Sequence, residues 1–142
     1  MRTIPVVVLM LLLGSGCTQQ KEAPPAEPQR VVLTGYIVDA MCGNAIAKKT
    51  NPMEKAARHT RACGLAEACA AEGYGVFADG RWIVFDEQGN ALANAALRKD
   101  TRERALYFRV EGTLEGDHLA VTAVDSLPSP AAAEVSEQQS PS

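Results

Sequence analysis

Four side chains that bind soft or borderline metal ions, Cys42, His59, Cys63 and Cys69, fall in one stretch of this 142-residue chain. Three thiolates and one imidazole are the donors of a closed tetrahedral zinc site, and with Met41 or Met53 nearby the same set suits cuprous copper. His59 and Cys63 are four residues apart, which on a helix turns both side chains to the same face. No Cys-x-x-Cys pair is present, so the spacing matches no standard zinc finger. Asp39, three residues before Cys42, suits a ligand, a partner that orients a ligand, or a local turn bond at a strand end.

A second chemistry competes for the same residues. In an oxidising compartment two of the three cysteines would pair, leaving the third for thiol redox chemistry. A bridge from Cys42 to Cys63 or Cys69 would tie the segment together, worth roughly 3–4 kcal/mol in the chain-entropy model. Metal cluster and disulfide staple therefore both stay open. Enzyme chemistry of the common kinds finds no residues: there is no Ser-His-Asp set, no paired acidic site, no phosphate-cradling glycine loop and no haem-attaching Cys-x-x-Cys-His. His118 falls in a hairpin turn and is expected to face solvent.

The compartment is indicated by the first residues. Arg2, the apolar run Val6 to Leu13 and the small residues Gly14-Ser15-Gly16 read as a signal peptide over residues 1–16. The run is too short to cross a bilayer, which takes about 20 residues as helix. Leu13-Gly14-Ser15-Gly16-Cys17 resembles the lipobox of bacterial lipoproteins, and the resemblance implies that Cys17 becomes the palmitate-carrying N-terminus of an envelope protein. Thr18, in place of the Asp that often retains such proteins at the inner membrane, implies outer-membrane sorting facing the periplasm where the source has two membranes. Residues 17–30 are polar and Pro-rich and read as a tether; residues 128–142 are Pro, Ser, Ala and Glu and read as a disordered tail.

Between these ends residues 31–127 suit one small domain. That stretch carries 11 Lys and Arg against 13 Asp and Glu, so it has no polyanion footprint, and nucleic acid is not an expected partner. Alternating apolar residues predict strands at Val31 to Ala40, Tyr74 to Ala78, Arg81 to Asp86, around Leu106 to Val110 and around Leu119 to Ala123. Asp79-Gly80 and Glu115-Gly116-Asp117 supply hairpin turns. After a Gly89-Asn90 turn, Leu92, Ala95 and Ala96 predict a short helix between the third and fourth strands. Five strands with a helix in that place give a mainly β architecture, a small OB-like barrel, with an open antiparallel sheet packed on one helix as the competing form.

The metal-binding residues sit in an insertion after the first strand, at 41–73. Asn51-Pro52-Met53-Glu54 predicts a helix capped by Asn51, with a capping box from Glu54, running to about Cys63. Gly64 ends it, and a second short helix over Leu65 to Glu72 ends at Gly73.

Several of these segments together, Thr34-Gly35-Tyr36-Ile37-Val38-Asp39, Met41-Cys42-Gly43, His59 with Cys63, Cys69 before Gly73-Tyr74-Gly75-Val76, and Val110 to Asp117, resemble a group of exported bacterial lipoproteins with a small OB-like barrel. The resemblance spans 31–127 and implies the fold without implying an activity. The reading that follows is a membrane-anchored envelope lipoprotein that binds a metal ion or small ligand through its Cys/His cluster. Its alternative is a non-catalytic structural or interaction lipoprotein whose cysteines form a stabilising disulfide.

Overall fold

The computed structural model of the chain describes residues 27–130; the expected signal peptide, Cys17 and most of the tether lie outside the described residues. Five strands form one sheet: β1 (Gln29–Asp39), β2 (Tyr74–Ala78), β3 (Arg81–Phe85), β4 (Tyr107–Glu115) and β5 (His118–Ser126). Their order, β1-β2-β3-β5-β4, closes on itself because β1 is long enough to serve two neighbours. Its first part runs antiparallel to β4, from Gln29 opposite Leu114 to Tyr36 opposite Tyr107. Its last part runs antiparallel to β2, from Tyr36 opposite Phe77 to Asp39 opposite Tyr74. A short parallel contact of β3 with β5, Val84 with His118 and Phe85 with Leu119, completes the ring.

The period-two alternation sends one face of each strand inward. Ile37, Val76, Ile83, Phe85, Phe108, Val110, Leu119 and Val121 meet there, and Ala93 and Leu97 of α5 (Glu87–Lys99) pack onto them. That helix starts earlier than its apolar stripe suggests. Asp86 is its cap, with Oδ1 accepting from the Gly89 N–H at 2.8 Å and from the Val121 N–H at 3.1 Å. Gly89, expected in a turn, lies inside the helix and marks close approach instead: a Cβ there would stand 2.5 Å from Val121 Cγ2.

The insertion forms four short helices, α1 (Ala40–Ile46), α2 (Pro52–Arg58), α3 (Arg61–Gly64) and α4 (Glu67–Ala71). Helix α1 has no apolar periodicity to announce it and forms because Asp39 Oδ1 accepts from the Cys42 N–H at 2.9 Å. The single helix expected from 52 to Cys63 is two. Asn51 adopts φ +57 without a side-chain cap bond, and Glu54 pairs with Arg58 at 2.7 Å on the surface in place of a capping box. His59 is extended at φ −61, ψ 137, and Thr60 Oγ1 then caps a new helix through the Cys63 N–H at 3.1 Å. Gly73, at φ +86, ends the α4 turn as expected.

Helices α1 and α2 cover the outward face of the sheet, where Tyr36, Val38 and Phe77 pack with Ala56, Ile46, Met53 and Trp82. Trp82 lies across Gly43, and its Nε1–H donates to Asn44 Oδ1 at 3.0 Å. The loop after α5 fastens this layer: the Arg61 N–H donates to the Glu103 carbonyl at 2.8 Å, and the Ala105 N–H to the Ala57 carbonyl at 2.9 Å. The chain also remains docked past β5, where the expected tail begins. Ser129 is buried, with its hydroxyl 3.1 Å from that of Tyr36.

Arg102 is the knot of that loop. It donates to the Leu127 carbonyl at 2.7 Å and to Ser126 Oγ at 2.7 Å, and its guanidinium lies against the Asp100 carboxylate. The hydrogen bonds that the Arg102 guanidinium donates to that carboxylate outweigh burial and, helped by the Arg102 N–H and the Ser126 hydroxyl, hold the Asp100 carboxyl at about 2. A depressed folded-state value stabilises the fold in full above the unfolded value, and the contribution disappears as pH falls through about 4 to 2. Asp100→Asn is expected to cost about 2 kcal/mol at pH 7 and close to nothing at pH 2. Urea midpoints of both proteins across that range check it.

Candidate metal centre

Where β1 ends, its final residue turns inward. Asp39 is fully buried, and while Oδ1 caps α1, Oδ2 faces the ring of His59. His59 occupies the extended break between α2 and α3, and Cys63 follows one turn into α3. Cys42 comes from α1, with its Sγ 3.9 Å from the Sγ of Cys63. One ligand atom from each of Asp39, Cys42, His59 and Cys63 lies within 4.8 Å of all the others.

The break between the helices, rather than a shared helical face, brings His59 and Cys63 together. The two residues do lie together, but not on one helical face as their four-residue spacing suggested. Cys69, on α4, is not one of the four; the buried carboxylate of Asp39 stands in the group with Cys42, His59 and Cys63. The signal for Asp39 was its position three residues before Cys42, the cap spacing that turns the carboxylate toward α1. All three cysteines of the described residues are free thiols, so the expected disulfide among Cys42, Cys63 and Cys69 is not formed. His118 is exposed in its hairpin and lies 2.7 Å from the carboxylate of the adjacent Asp117.

Polar atoms buried at this place are short of hydrogen bonds. His59 Nε2 and Asp39 Oδ2 approach to 2.7 Å, yet not along a direction that aligns an N–H with a lone pair; among the described residues neither atom has a hydrogen-bond partner, nor has His59 Nδ1. Leaving such groups unpaired costs about 1–3 kcal/mol each, and a cation between them removes that cost. Two thiolates at about 2.3 Å from a tetrahedral zinc stand about 3.8 Å apart, the separation that Cys42 and Cys63 already keep. Nitrogen and oxygen ligands at about 2.0–2.1 Å stand about 3.3 Å apart. An ion between Asp39 and His59 therefore spreads that one pair by about half an ångström.

Burial raises the Asp39 carboxyl, but the nearness of His59 and the Cys42 N–H prevail and hold it below its ordinary value. Burial, then the charge of Asp39, then Cys63 push the Cys42 thiol up to about 12. An incoming ion must displace that proton, since only the thiolate is a ligand. The Cys69 thiol is also raised, by burial first and then by Asp39 and Cys63.

The cluster is braced from the barrel. The Tyr74 hydroxyl donates to the Gly64 carbonyl at 2.8 Å and accepts from Asn94 Nδ2 at 2.8 Å, joining β2, α3 and α5 behind Cys63. Gly64 stands beside the imidazole: a Cβ there would make ordinary van der Waals contact with His59 Cε1, at 3.4 Å. Tyr74→Phe removes both bonds at a buried site and is expected to cost about 1–3 kcal/mol. It should speed amide exchange in α3 before that of the strands. Thermal melts with hydrogen exchange give both quantities.

The chain matches no family model, no curated protein and no solved structure.

Proposed function

We propose that the chain is a membrane-anchored lipoprotein of the bacterial envelope whose OB-like barrel carries one metal ion on Asp39, Cys42, His59 and Cys63. The observation that carries the metal reading is the buried Asp39 and His59 pair without aligned hydrogen bonds, set beside two free thiols at 3.9 Å. One carboxylate oxygen, one imidazole nitrogen and two sulfurs favour zinc over cuprous copper, because the oxygen is a hard ligand and the tetrahedral set is closed. Four protein donors point to a structural or carrier ion rather than one that holds an open position for substrate.

Envelope anchoring is supported by the run Val6 to Leu13 before Gly14-Ser15-Gly16-Cys17, together with the resemblance to exported lipoproteins. No helix of the described residues is long and apolar enough to cross a membrane, so the lipid on Cys17 would be the anchor. The OB-like reading is supported by the strand order and by α5 lying between β3 and β4. A cargo other than nucleic acid is supported by Trp82 and Phe77, aromatic rings on the outer face of β2 and β3, which pack against α1 and α2.

The test is purification from the periplasm without chelator, followed by elemental analysis and a count of free thiols by mass. About one equivalent of zinc, with the thiols recovered after its removal, supports the proposal. One free thiol in the mature domain and no metal would sink it and leave a stapled loop.

A further inference from the structure

Charge is unevenly shared along this chain. Residues 41–61, which hold α1, α2 and the start of α3, carry five cations, Lys48, Lys49, Lys55, Arg58 and Arg61, against Glu54 alone. The rest of the span 31–127 carries six Lys and Arg against twelve Asp and Glu. Two of the five cations are paired, Arg58 with Glu54 at 2.7 Å and Arg61 with Glu103 at 3.9 Å. Lys48, Lys49 and Lys55 are exposed and have no ion pair among the described residues.

Four of these cations stand about an apolar depression of about 300 Å³, which Ala45, Ile46, Lys55 and Arg58 line together with Cys42 and His59. Its wall is almost wholly apolar, so Lys55 and Arg58 give it their carbon stems while their charged heads stand outside. Lys48 and Lys49 follow in the turn that leaves Ile46, where the Lys49 N–H donates to the Ile46 carbonyl at 2.9 Å. Met41, a large apolar residue left 52% exposed, lies one helical turn before Ala45 and so on the same side of α1.

We infer that this face docks on an anionic lipid surface, with Met41, Ala45 and Ile46 at the acyl boundary and Lys48, Lys49, Lys55 and Arg58 among the headgroups. Cations that lay their stems on an apolar patch and keep their heads in water have the arrangement of a membrane interface, and anionic lipid attracts each of them. The choice of a lipid surface over an acidic protein rests on the anchoring reading: a chain held at Cys17 is kept close to that surface, and its acidic remainder is repelled from it. The reach suffices. From Gln29 to the start of α1, β1 spans about 35 Å, and the residues 17–28, drawn out, span about 40 Å.

The experiment takes the chain from residue 17 with Cys17→Ser, which keeps every described residue and carries no lipid. It is floated with vesicles of phosphatidylcholine and with vesicles in which about one third of the lipid is phosphatidylglycerol. The chain should bind the second kind and not the first, and should detach as salt is raised. A cation near such a surface contributes about fivefold in affinity, so Lys48→Gln with Lys49→Gln should weaken binding about 25-fold. Arg81→Gln with Arg98→Gln, the same loss of charge at exposed residues of β3 and α5, should weaken it less than about fivefold. No binding to anionic vesicles, equal binding to both kinds, or an equal effect of the two double variants would overturn the inference; an acidic protein crosslinked to Lys48 or Lys49 would then be the occupant. Absence of lipid on Cys17 in cells sinks the anchoring reading alone, because the vesicles are offered to a chain that carries none.

Discussion

Asparagine in place of Asp39 leaves the barrel folded and weakens metal binding by at least about 100-fold, the upper end of what loss of even a partner to a ligand costs. The two oxygens of Asp39 have separate tasks: Oδ1 caps α1 through the Cys42 N–H, and Oδ2 faces His59 inside the cluster. An asparagine carbonyl oxygen caps as well as a carboxylate. Its amide nitrogen, however, has no lone pair to give a metal and no charge to balance one. The variant therefore separates the ligand from the cap. Competition for zinc against a chromophoric chelator measures the affinity, while far-ultraviolet circular dichroism reports the fold. Unchanged affinity with an unchanged spectrum would remove Asp39 from the site. His59→Ala should lose binding as steeply and keep the cap of α2, because His59 makes that cap with its backbone N–H, which donates to the Ala56 carbonyl at 3.1 Å and which alanine retains.

Alanine in place of Gly35 removes a large share of the protein's stability. The added Cβ would lie 2.0 Å from the Phe77 carbonyl oxygen, a backbone atom in the sheet that cannot swing aside. Gly35 precedes Tyr36, the residue that faces both Tyr107 and Phe77, so the clash falls where β1 passes from one neighbour to the other. Overpacking of this kind usually costs about 1–3 kcal/mol; with backbone as the obstacle the expected loss exceeds about 3 kcal/mol, a large share of a small domain's stability. At Gly43 the nearest obstacle is the Trp82 ring, a side chain on the outer face, so Gly43→Ala should cost less, about 1–3 kcal/mol. Urea melts of the two variants, compared at equal slope, give the ranking. A Gly35→Ala protein as stable as its parent would show that the strands separate at this point.

The strands could be read from the chain because their signal is local. Ile37, Val76, Ile83, Phe108 and Leu119 alternate with outward residues, and each lands in the core. The insertion was legible in composition and not in geometry. Helix α1 has no apolar stripe and depends on one side-chain cap, and α3 exists because Thr60 begins a new helix where a longer one was expected. For Asp39 three readings stayed open in the sequence, a ligand among them, for a related reason. Asp39 ends β1 as an ordinary strand-end carboxylate does, and its second role appears only when α2 and α3 bring His59 back across it. Cys69 stood in the expected set because it falls in the same stretch as Cys42, His59 and Cys63, but which thiols meet is decided by the helix break at His59 and Thr60.

The length of β1 has a mechanical consequence. If the chain hangs from a lipid at its N-terminus, any pull from the membrane enters the domain at Gln29. There the load meets the antiparallel ladder with β4, which extends from Gln29 to Tyr36. A force along the strand shears those paired residues together instead of peeling them one by one. On that condition the ladder would stand as a clamp between the anchored end and Asp39 at the opposite end of the same strand.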